Sequence, residues 1–365
     1  MWNILLIFIM KRLIVCCDGT WNRADQAHDG EPCPTNVVKM ASRVAKRDGD
    51  IPQVVYYGQG VGSGNILDRY TGGAFGHGLE DNIYEAYRFL MGNYEDGDEI
   101  FLFGFSRGAF TARSLGGMIR NCGILKREST GHYQEALDLY QNKEIRPKDP
   151  ESVAFRKQHS VCGADDIRIK FIGVWDTVGS LGIPLRGLRW LTRGEYQFHD
   201  TELSKTVEHA CHALAIDERR KPFKPTLWKR KPKAGQTVEQ VWFAGAHTDI
   251  GGGYPDSGLS DITLEWMIGK AKGAGLAFDA AVLDALPLSP DPLGKLHNSR
   301  KGFYRLSRGI DRTVGASEKQ SQDLAPKDEL LHGSVIRRWD GNPGYRPVSL
   351  AAYFDALPAS GGSGL

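Results

Sequence analysis

Three residues of the types used in nucleophilic catalysis each follow a predicted strand. The first, Ser106, lies between Gly104 and Gly108, directly behind the apolar run 100–103 and directly ahead of a helical pattern. This strand–turn–helix context is typical of a nucleophile elbow, in which a strained turn pushes the serine hydroxyl above the sheet edge. The two glycines lack the Cβ atoms that would clash at such a turn. Ser106 is therefore the candidate nucleophile, and an ordinary glycine-rich connection is the alternative interpretation.

The other two residues supply an acid and a base. Asp176 follows the run 167–175, and His247 follows the strand predicted over 238–246. A histidine can take the serine proton and return it to the leaving group, while a carboxylate holds the imidazole in the required tautomer. The chain order Ser106, Asp176, His247 is that of an α/β-hydrolase triad.

Each assignment has a competing interpretation. An aspartate after a strand is often only a turn residue or helix cap, as Asp176 could be. Asp249 is a second candidate acid, but it stands two positions from His247, and we expect it to brace the loop instead. The glycine run that begins at Gly251 allows backbone to approach a ligand closely, which favours a site over a core histidine. We predict that the site is lined by Asp18, Phe105, Asp249 and Gly251.

An oxyanion needs two backbone N–H donors. One is expected from Arg107, the residue after the nucleophile, and the other from the turn at Gly19 and Thr20. Removal of one such donor typically costs about 3 kcal/mol of activation free energy.

Alternating strands and helices must position these residues. Such alternation predicts an α/β fold, α/β-hydrolase-like, with a mainly parallel central sheet and helices on both faces. Because the strands are parallel, their carboxyl ends lie along one edge of the sheet. Ligands bind outside this edge. Thr35 or Asn36 is the expected cap of the first helix, and Ser260 of a later one. The predicted strands are 13–17, 53–57, 98–103, 167–175 and 238–246.

The composition is that of an ordinary globular protein. The chain has 365 residues, of which 41% are hydrophobic and 25% charged, with a formal net charge of +2. We expect a single domain over 11–355, with a helical or loop insertion at about 179–236 that carries no strong strand signal. Residues 1–10 are expected to be an apolar extension outside the fold, and 356–365 a flexible tail.

The apolar stretch 1–10 is neither a spanning helix nor a signal peptide by its pattern. It is shorter than the roughly 20 apolar residues of a spanning helix, and Lys11 and Arg12 follow it instead of preceding it. Translation from Met10 is an alternative explanation.

The six cysteines include no Cys-x-x-Cys pair, which indicates a reducing compartment. A cytoplasmic location is therefore expected.

No cofactor, metal site or nucleic-acid module is predicted. The turn after the first strand lacks the nucleophilic aspartate of aspartyl-phosphate phosphatases, since Cys16 stands there, and the glycine clusters over 58–78 do not make a P-loop.

Between Arg219 and Lys233, eight of fifteen residues are basic. This segment is either a transient contact for anionic lipid headgroups or a solvated loop that aids solubility.

Four segments together resemble one family. They are 14–22 (IVCCDGTWN), 104–113 (GFSRGAFTAR), 171–182 (FIGVWDTVGSLG) and 243–254 (FAGAHTDIGGGY), and segments 209–223 and 331–347 also fit its pattern. The chain is similar to the α/β-hydrolase domain of type VI secretion lipase effectors. The resemblance implies Ser106, Asp176 and His247 as the triad, lipid esters as substrates, and export as an effector as an alternative to a cytoplasmic location.

Two functions of different classes follow from the sequence. The first is a serine hydrolase that cleaves carboxylic esters of small molecules or lipids, phospholipids included, through an acyl-enzyme intermediate. The second is a hydrolase-fold binding module in which catalysis is lost or secondary.

Overall fold

The predicted alternation of strands and helices is confirmed by the computed structural model of the chain. The structure describes residues 10–19, 22–28, 30–60, 73–178, 203–228, 232–300, 309–315 and 329–356. All five predicted strands are found in these ranges. The predicted extension 1–10, apart from Met10, and the predicted tail 356–365, apart from Ala356, lie outside the described residues.

The central sheet is mainly parallel, as predicted. Among the described residues it has eight strands in the order β10-β9-β8-β7-β6-β1-β5-β4; β4 is antiparallel to β5, and the remaining pairs are parallel. A separate antiparallel pair is formed by β2 and β3. The strands are β1 (Arg12–Cys17), β2 (Ala27–His28), β3 (Glu31–Pro32), β4 (Arg47–Asp48), β5 (Ile51–Gly58), β6 (Glu99–Phe105), β7 (Ile169–Trp175), β8 (Val207–Ala215), β9 (Thr237–Phe243) and β10 (Glu329–Leu331).

The central strands are apolar on both faces, as expected for a covered parallel sheet. On β1, Leu13 and Val15 belong to one hydrophobic cluster, while Ile14 and Cys16 belong to another on the opposite face. All four side chains are fully buried. The sheet therefore needs a layer of helices on each side.

Ten helices of the described residues supply these layers. Helices α2 to α5 contribute buried side chains to the first cluster, and α1 and α7 contribute to the second. The helices are α1 (Asn36–Arg43), α2 (Gly73–Asn93), α3 (Arg107–Cys122), α4 (Tyr133–Gln141), α5 (Pro150–His159), α6 (His247–Gly251), α7 (Gly258–Gly273), α8 (Ala280–Ala285), α9 (Gly333–Gly341) and α10 (Val348–Ala356).

A third cluster covers the sheet near β8 and β9. Trp242 of β9 packs there with Leu214, with Val335 of α9 and with Leu350 of α10. Each of these side chains is at most 1% exposed. The segment 329–356 thus contributes to the packed core, although the sequence from about residue 287 onward shows an increase in glycine, proline and charge.

The prediction of a strandless insertion over 179–236 is wrong for part of that segment. Residues Val207–Ala215 form β8, which pairs with β7 on one side and β9 on the other. Residues 179–202 and 229–231 lie outside the described ranges. The strand is hard to detect because alanine, histidine and cysteine fill it, whereas valine, isoleucine and aromatic residues mark most strands.

One of the two predicted helix caps is confirmed. The Thr35 hydroxyl accepts a hydrogen bond from the Val38 N–H at 3.3 Å, which caps α1. The prediction for Ser260 is wrong, because α7 begins at Gly258 and Ser260 lies inside its first turn.

A topological switch point lies between β1 and β6. The chain leaves β1 for β5 on one side and later passes from β6 to β7 on the other, so the connections after β1 and β6 diverge. In parallel sheets such a switch point opens a crevice at the carboxyl ends of the two strands. The residues after β1 and β6 include Asp18 and Ser106.

Candidate active site

The backbone at Ser106 is strained, as the predicted nucleophile elbow requires. Ser106 lies between β6 and α3 with φ of 58° and ψ of −117°. A Cβ on Gly104 would lie 2.3 Å from the carbonyl oxygen of Gly108, and one on Gly108 would lie 2.0 Å from that of Cys17. Both contacts are with backbone, which cannot move aside easily. The two flanking glycines therefore let α3 pack against the carboxyl end of β1.

His247 lies beside this serine. It is the first residue of α6, close behind β9, and its Nε2 is 2.8 Å from the Ser106 Oγ. The Phe105 ring packs at 4.6 Å from the imidazole, and the Phe223 ring contacts it edge-on at 4.9 Å. These aromatic walls leave the histidine only 4% exposed.

Asp176 holds the other nitrogen of the imidazole. Its Oδ2 lies 2.5 Å from His247 Nδ1, and it follows β7 with a positive φ of 37°. The carboxylate is fully buried. It also accepts hydrogen bonds from the Ala215 N–H at 3.1 Å and from both terminal nitrogens of Arg312.

The charges around this pair suit a base and its partner. Burial alone would raise the pKa of Asp176, but the Arg312 charge and the His247 hydrogen bond outweigh it and hold the pKa well below its usual range. For His247, burial lowers the pKa, and the contacts with Asp176 only partly oppose this effect. The aspartate is therefore ionised and the imidazole neutral at neutral pH. A neutral Nε2 can accept the Ser106 proton during attack on a carbonyl carbon.

The three predicted residues are thus brought together from three separate strand ends. The Ser106 and His247 positions are 141 residues apart in the chain, and those of Asp176 and His247 are 71 apart. The tautomer that fits these contacts carries its proton on Nδ1, where it is donated to Asp176. The arrangement can activate a serine hydroxyl for acyl transfer.

Asp18 lies beneath the turn that follows β1. Its Oδ1 accepts hydrogen bonds from the Gly19 N–H at 2.7 Å and the Asn22 side-chain amide at 3.2 Å. Its Oδ2 accepts from the Thr35 hydroxyl at 2.6 Å and the Tyr57 hydroxyl at 2.8 Å. Burial raises the pKa of Asp18, although all four donors oppose that effect. The carboxylate therefore ties the turn to α1 and β5.

The structure contradicts the prediction of Gly19 as an oxyanion donor. Its backbone N–H is used by the Asp18 carboxylate, so it does not point towards a substrate oxygen. Thr20, the other residue predicted from this turn, lies outside the described residues. Arg107 is the first residue of α3, where the peptide N–H groups point out of the helix end.

Asp249 contacts a different histidine. Its Oδ1 lies 2.6 Å from His297 Nδ1, and its Oδ2 accepts hydrogen bonds from the backbone N–H groups of Ala246 and His297 at 3.0 and 3.1 Å. These contacts fix the start of α6, and they therefore hold His247, its first residue, in place. Asp249 thus braces the loop, as its short distance in sequence from His247 suggested.

Gly251 packs against the wall of the site. A Cβ at this position would lie 2.1 Å from the Phe105 ring. The glycine therefore serves close packing of α6 on Phe105, which is 3% exposed. Of the predicted lining residues, Phe105 contacts His247 directly, while Gly251 supports it from behind.

Two supporting residues were not identified from the sequence. Arg312 contacts Asp176 from a segment rich in charge, and nothing in its local sequence distinguishes it from other basic residues. Glu218 is fully buried and accepts hydrogen bonds from Arg220, from Ser299 and from the His247 N–H. Two signals pointed to Glu218: the Glu-x-Arg spacing, and its place in segment 209–223, which fits the family pattern.

The basic segment 219–233 is partly built into the fold. Arg220 forms an ion pair with Glu218 at 2.8 Å, and Trp228 is only 2% exposed. Lys221 and Lys224 are exposed. The interpretation as a merely solvated loop is therefore wrong for Arg220 and Trp228, and headgroup contact stays a prediction for the exposed lysines.

Within the described residues, no group of three or more His, Cys, Asp and Glu side chains is arranged to hold a metal ion. Each helix of the described part is too short or too polar to span a bilayer. All six cysteines are free thiols.

Comparison with known proteins gives several matches. Residues 11–270 match the model of the family described as T6SS, Phospholipase effector Tle1-like, catalytic domain. The uncharacterized protein YEL023C of Saccharomyces cerevisiae is 29% identical over 311 residues, which make up 80% of this chain and 43% of that protein.

Two solved structures are also similar. The crystal structure of an uncharacterized protein from Pseudomonas aeruginosa is 17% identical with a TM-score of 0.43, over 74% of this chain and 46% of the other. The structure of the Tle1 effector bound to the VgrG spike from the type 6 secretion system is 18% identical with a TM-score of 0.40, over 68% of this chain and 52% of the other. The chain spans about half the length of these relatives.

Proposed function

The chain belongs to the family of Tle1-like phospholipase effector catalytic domains of the type VI secretion system, and on this premise we propose that it is a serine hydrolase that cleaves carboxylic esters of lipids. One observation carries the proposal. The Ser106 Oγ lies 2.8 Å from His247 Nε2, whose Nδ1 lies 2.5 Å from a buried Asp176. The family supports lipids as the substrate class.

The proposed reaction proceeds in two acyl transfers. Ser106 Oγ attacks the ester carbonyl carbon while its proton passes to His247 Nε2. The imidazolium then gives this proton to the departing alcohol, which leaves an acyl group on Ser106. Water, deprotonated by the same imidazole, attacks the acyl carbon, and the imidazolium returns this proton to Ser106 Oγ as the acid departs. Asp176 stabilises the imidazolium at both stages.

The oxyanion of each tetrahedral intermediate needs backbone donors. The N–H of Arg107 at the start of α3 is proposed as one, because the positive end of a helix favours a developing negative charge. Thr20 is retained as the proposed source of the second donor. Gly19 is not, since its N–H donates to Asp18.

A fluorophosphonate probe tests the proposal directly. We expect it to label the wild-type chain at Ser106 and to leave Ser106→Ala unlabelled, because only an activated serine reacts with this probe. A panel of esters with different acyl lengths, intact phospholipids included, then defines the substrate. If neither protein is labelled although both give the same melting temperature, the alternative of a hydrolase-fold binding module is the better account.

A further inference from the structure

We propose that Arg312 is a positioning residue of the active site, which holds the Asp176 carboxylate in the orientation that His247 requires. This inference rests on the proposed serine hydrolase function. It also places part of the catalytic apparatus beyond residue 270, where the match to the family ends.

The contact between the two side chains is bidentate. Arg312 Nη1 donates to Asp176 Oδ1 at 2.6 Å, and Nη2 donates to Oδ2 at 3.0 Å. The guanidinium is planar and matches the two oxygens of a carboxylate, so this contact fixes the plane of the carboxyl group as well as its position. The Oδ2 that receives Nη2 is the same atom that receives His247 Nδ1.

The same guanidinium joins two further segments of the site. Nη1 also donates to the Ala215 carbonyl at 2.7 Å, and Nη2 donates to the Phe223 carbonyl at 2.5 Å. Ala215 ends β8, and the Phe223 ring packs against the His247 imidazole. Arg312 therefore holds Asp176 and also holds Phe223, whose ring packs against His247.

The burial of the pair makes the cation necessary. The Arg312 side chain is 2% exposed and that of Asp176 is fully buried, so water cannot replace either partner. A carboxylate buried without a cation would be protonated or would turn away, and in either state it could not hold the imidazole.

Other ionisable groups also face the pair. Arg220 and Glu218 lie near His247 with opposite charges, and they form an ion pair with each other. His212 lies near Asp176, and burial lowers the pKa of this imidazole to about 3, so it is neutral. Among these groups, Arg312 is the cation that shares an oxygen of Asp176 with His247.

The test compares Arg312→Met and Arg312→Lys with a matched control, Arg338→Met. Arg338 is also buried and also lies beyond residue 270, but it donates to the carbonyls of Pro292 and Gly294. The primary measurement is the pKa of His247 by NMR on histidine-labelled protein, with the signal assigned through its loss in His247→Gln. It is accompanied by kcat and KM on the best ester and by melting temperatures.

We expect Arg312→Met to lower the His247 pKa by at least about half a unit, because a carboxylate that is protonated or turned away no longer stabilises the imidazolium. We expect kcat to fall about 100-fold with KM little changed, because the base is no longer oriented. Arg312→Lys keeps the charge without the bidentate contact, so its His247 pKa should stay close to wild type while kcat falls about tenfold. Arg338→Met should lower the melting temperature only.

The proposal is overturned if Arg312→Met behaves as Arg338→Met does, with lower stability but an unchanged His247 pKa. If Arg312→Met does not fold, Arg312→Lys decides, and a wild-type kcat in that variant overturns the orienting role. The NMR measurement does not need turnover. An inactive wild-type protein whose His247 pKa responds as expected would therefore count against the proposed function and not against the Arg312 contact.

Discussion

At the scale of single residues, the environment of His247 sets the pH range of the proposed reaction. Burial lowers the pKa of the imidazole, so the neutral base persists at a more acidic pH than it would in water. We expect kcat/KM to keep its full value as the pH falls to about 6.5, the ordinary histidine pKa, and to drop only below it. A pH profile with a soluble ester measures this. An acidic limb centred at or above that value would contradict the assignment.

The two candidate acids near His247 make different contacts and should respond differently to the same change. Asp176→Asn removes the acceptor of the Nδ1 proton and should lower kcat on the order of 10³- to 10⁴-fold. Asp249→Asn changes a contact with His297 and should cause a far smaller loss. Each variant removes one buried carboxylate, so each controls for the other in stability. If both variants lose kcat to a similar extent at equal melting temperatures, Asp176 is not the acid that supports His247.

At the scale of elements, the connection between β6 and α3 depends on a close approach of two backbones. Gly108→Ala would place a Cβ 2.0 Å from the Cys17 carbonyl oxygen, and we expect it to lower the free energy of unfolding by about 3 kcal/mol or more. The control is Gly269→Ala in α7, where a Cβ meets nothing within 4 Å. That change should stabilise the protein by about 0.5–1 kcal/mol, because alanine favours the helix. Urea unfolding compares the two, and equal effects would refute the steric account.

The elements differ in how well their sequences reveal them. The strands β1 and β6 are mainly apolar and are followed by the polar residues Asp18 and Ser106, and the predicted elbow between β6 and α3 has a recognisable glycine spacing. The strand β8 has no such signal, because alanine, histidine and cysteine fill it, and these residues become a strand only between β7 and β9. The use of the Gly19 N–H by Asp18 was foreseeable, since aspartate side chains often accept hydrogen bonds from nearby backbone N–H groups.

The arginine that holds Asp176 could not be predicted in the same way. Ser106, Asp176 and His247 each follow a strand, and the order of the strands places them at one edge. No strand is predicted directly before Arg312, and its contact with Asp176 joins positions 136 residues apart. Only the packed tertiary structure brings them together.

At the scale of the whole molecule, α9 and α10 close the sheet over β8 and β9. We expect Leu350→Ala to lower the free energy of unfolding by about 2–5 kcal/mol, because the Leu350 side chain is fully buried in the third hydrophobic cluster. Val348→Ala on the same helix should change it by no more than about 0.5 kcal/mol, because Val348 is 69% exposed. Thermal or urea unfolding measures both. A small effect of Leu350→Ala would show that this cluster contributes little to the cooperative fold.

The ion pair between Arg312 and Asp176 also bears on when the site forms during synthesis. The proposed nucleophile, acid and base leave the ribosome in that order, and Arg312 emerges only after all three. A nascent chain can therefore fold β1, β6 and β7 while its acid still lacks the arginine that orients it. Because contacts between distant positions form late, the proposed nucleophile acquires its full set of partners only after residue 312 has been made.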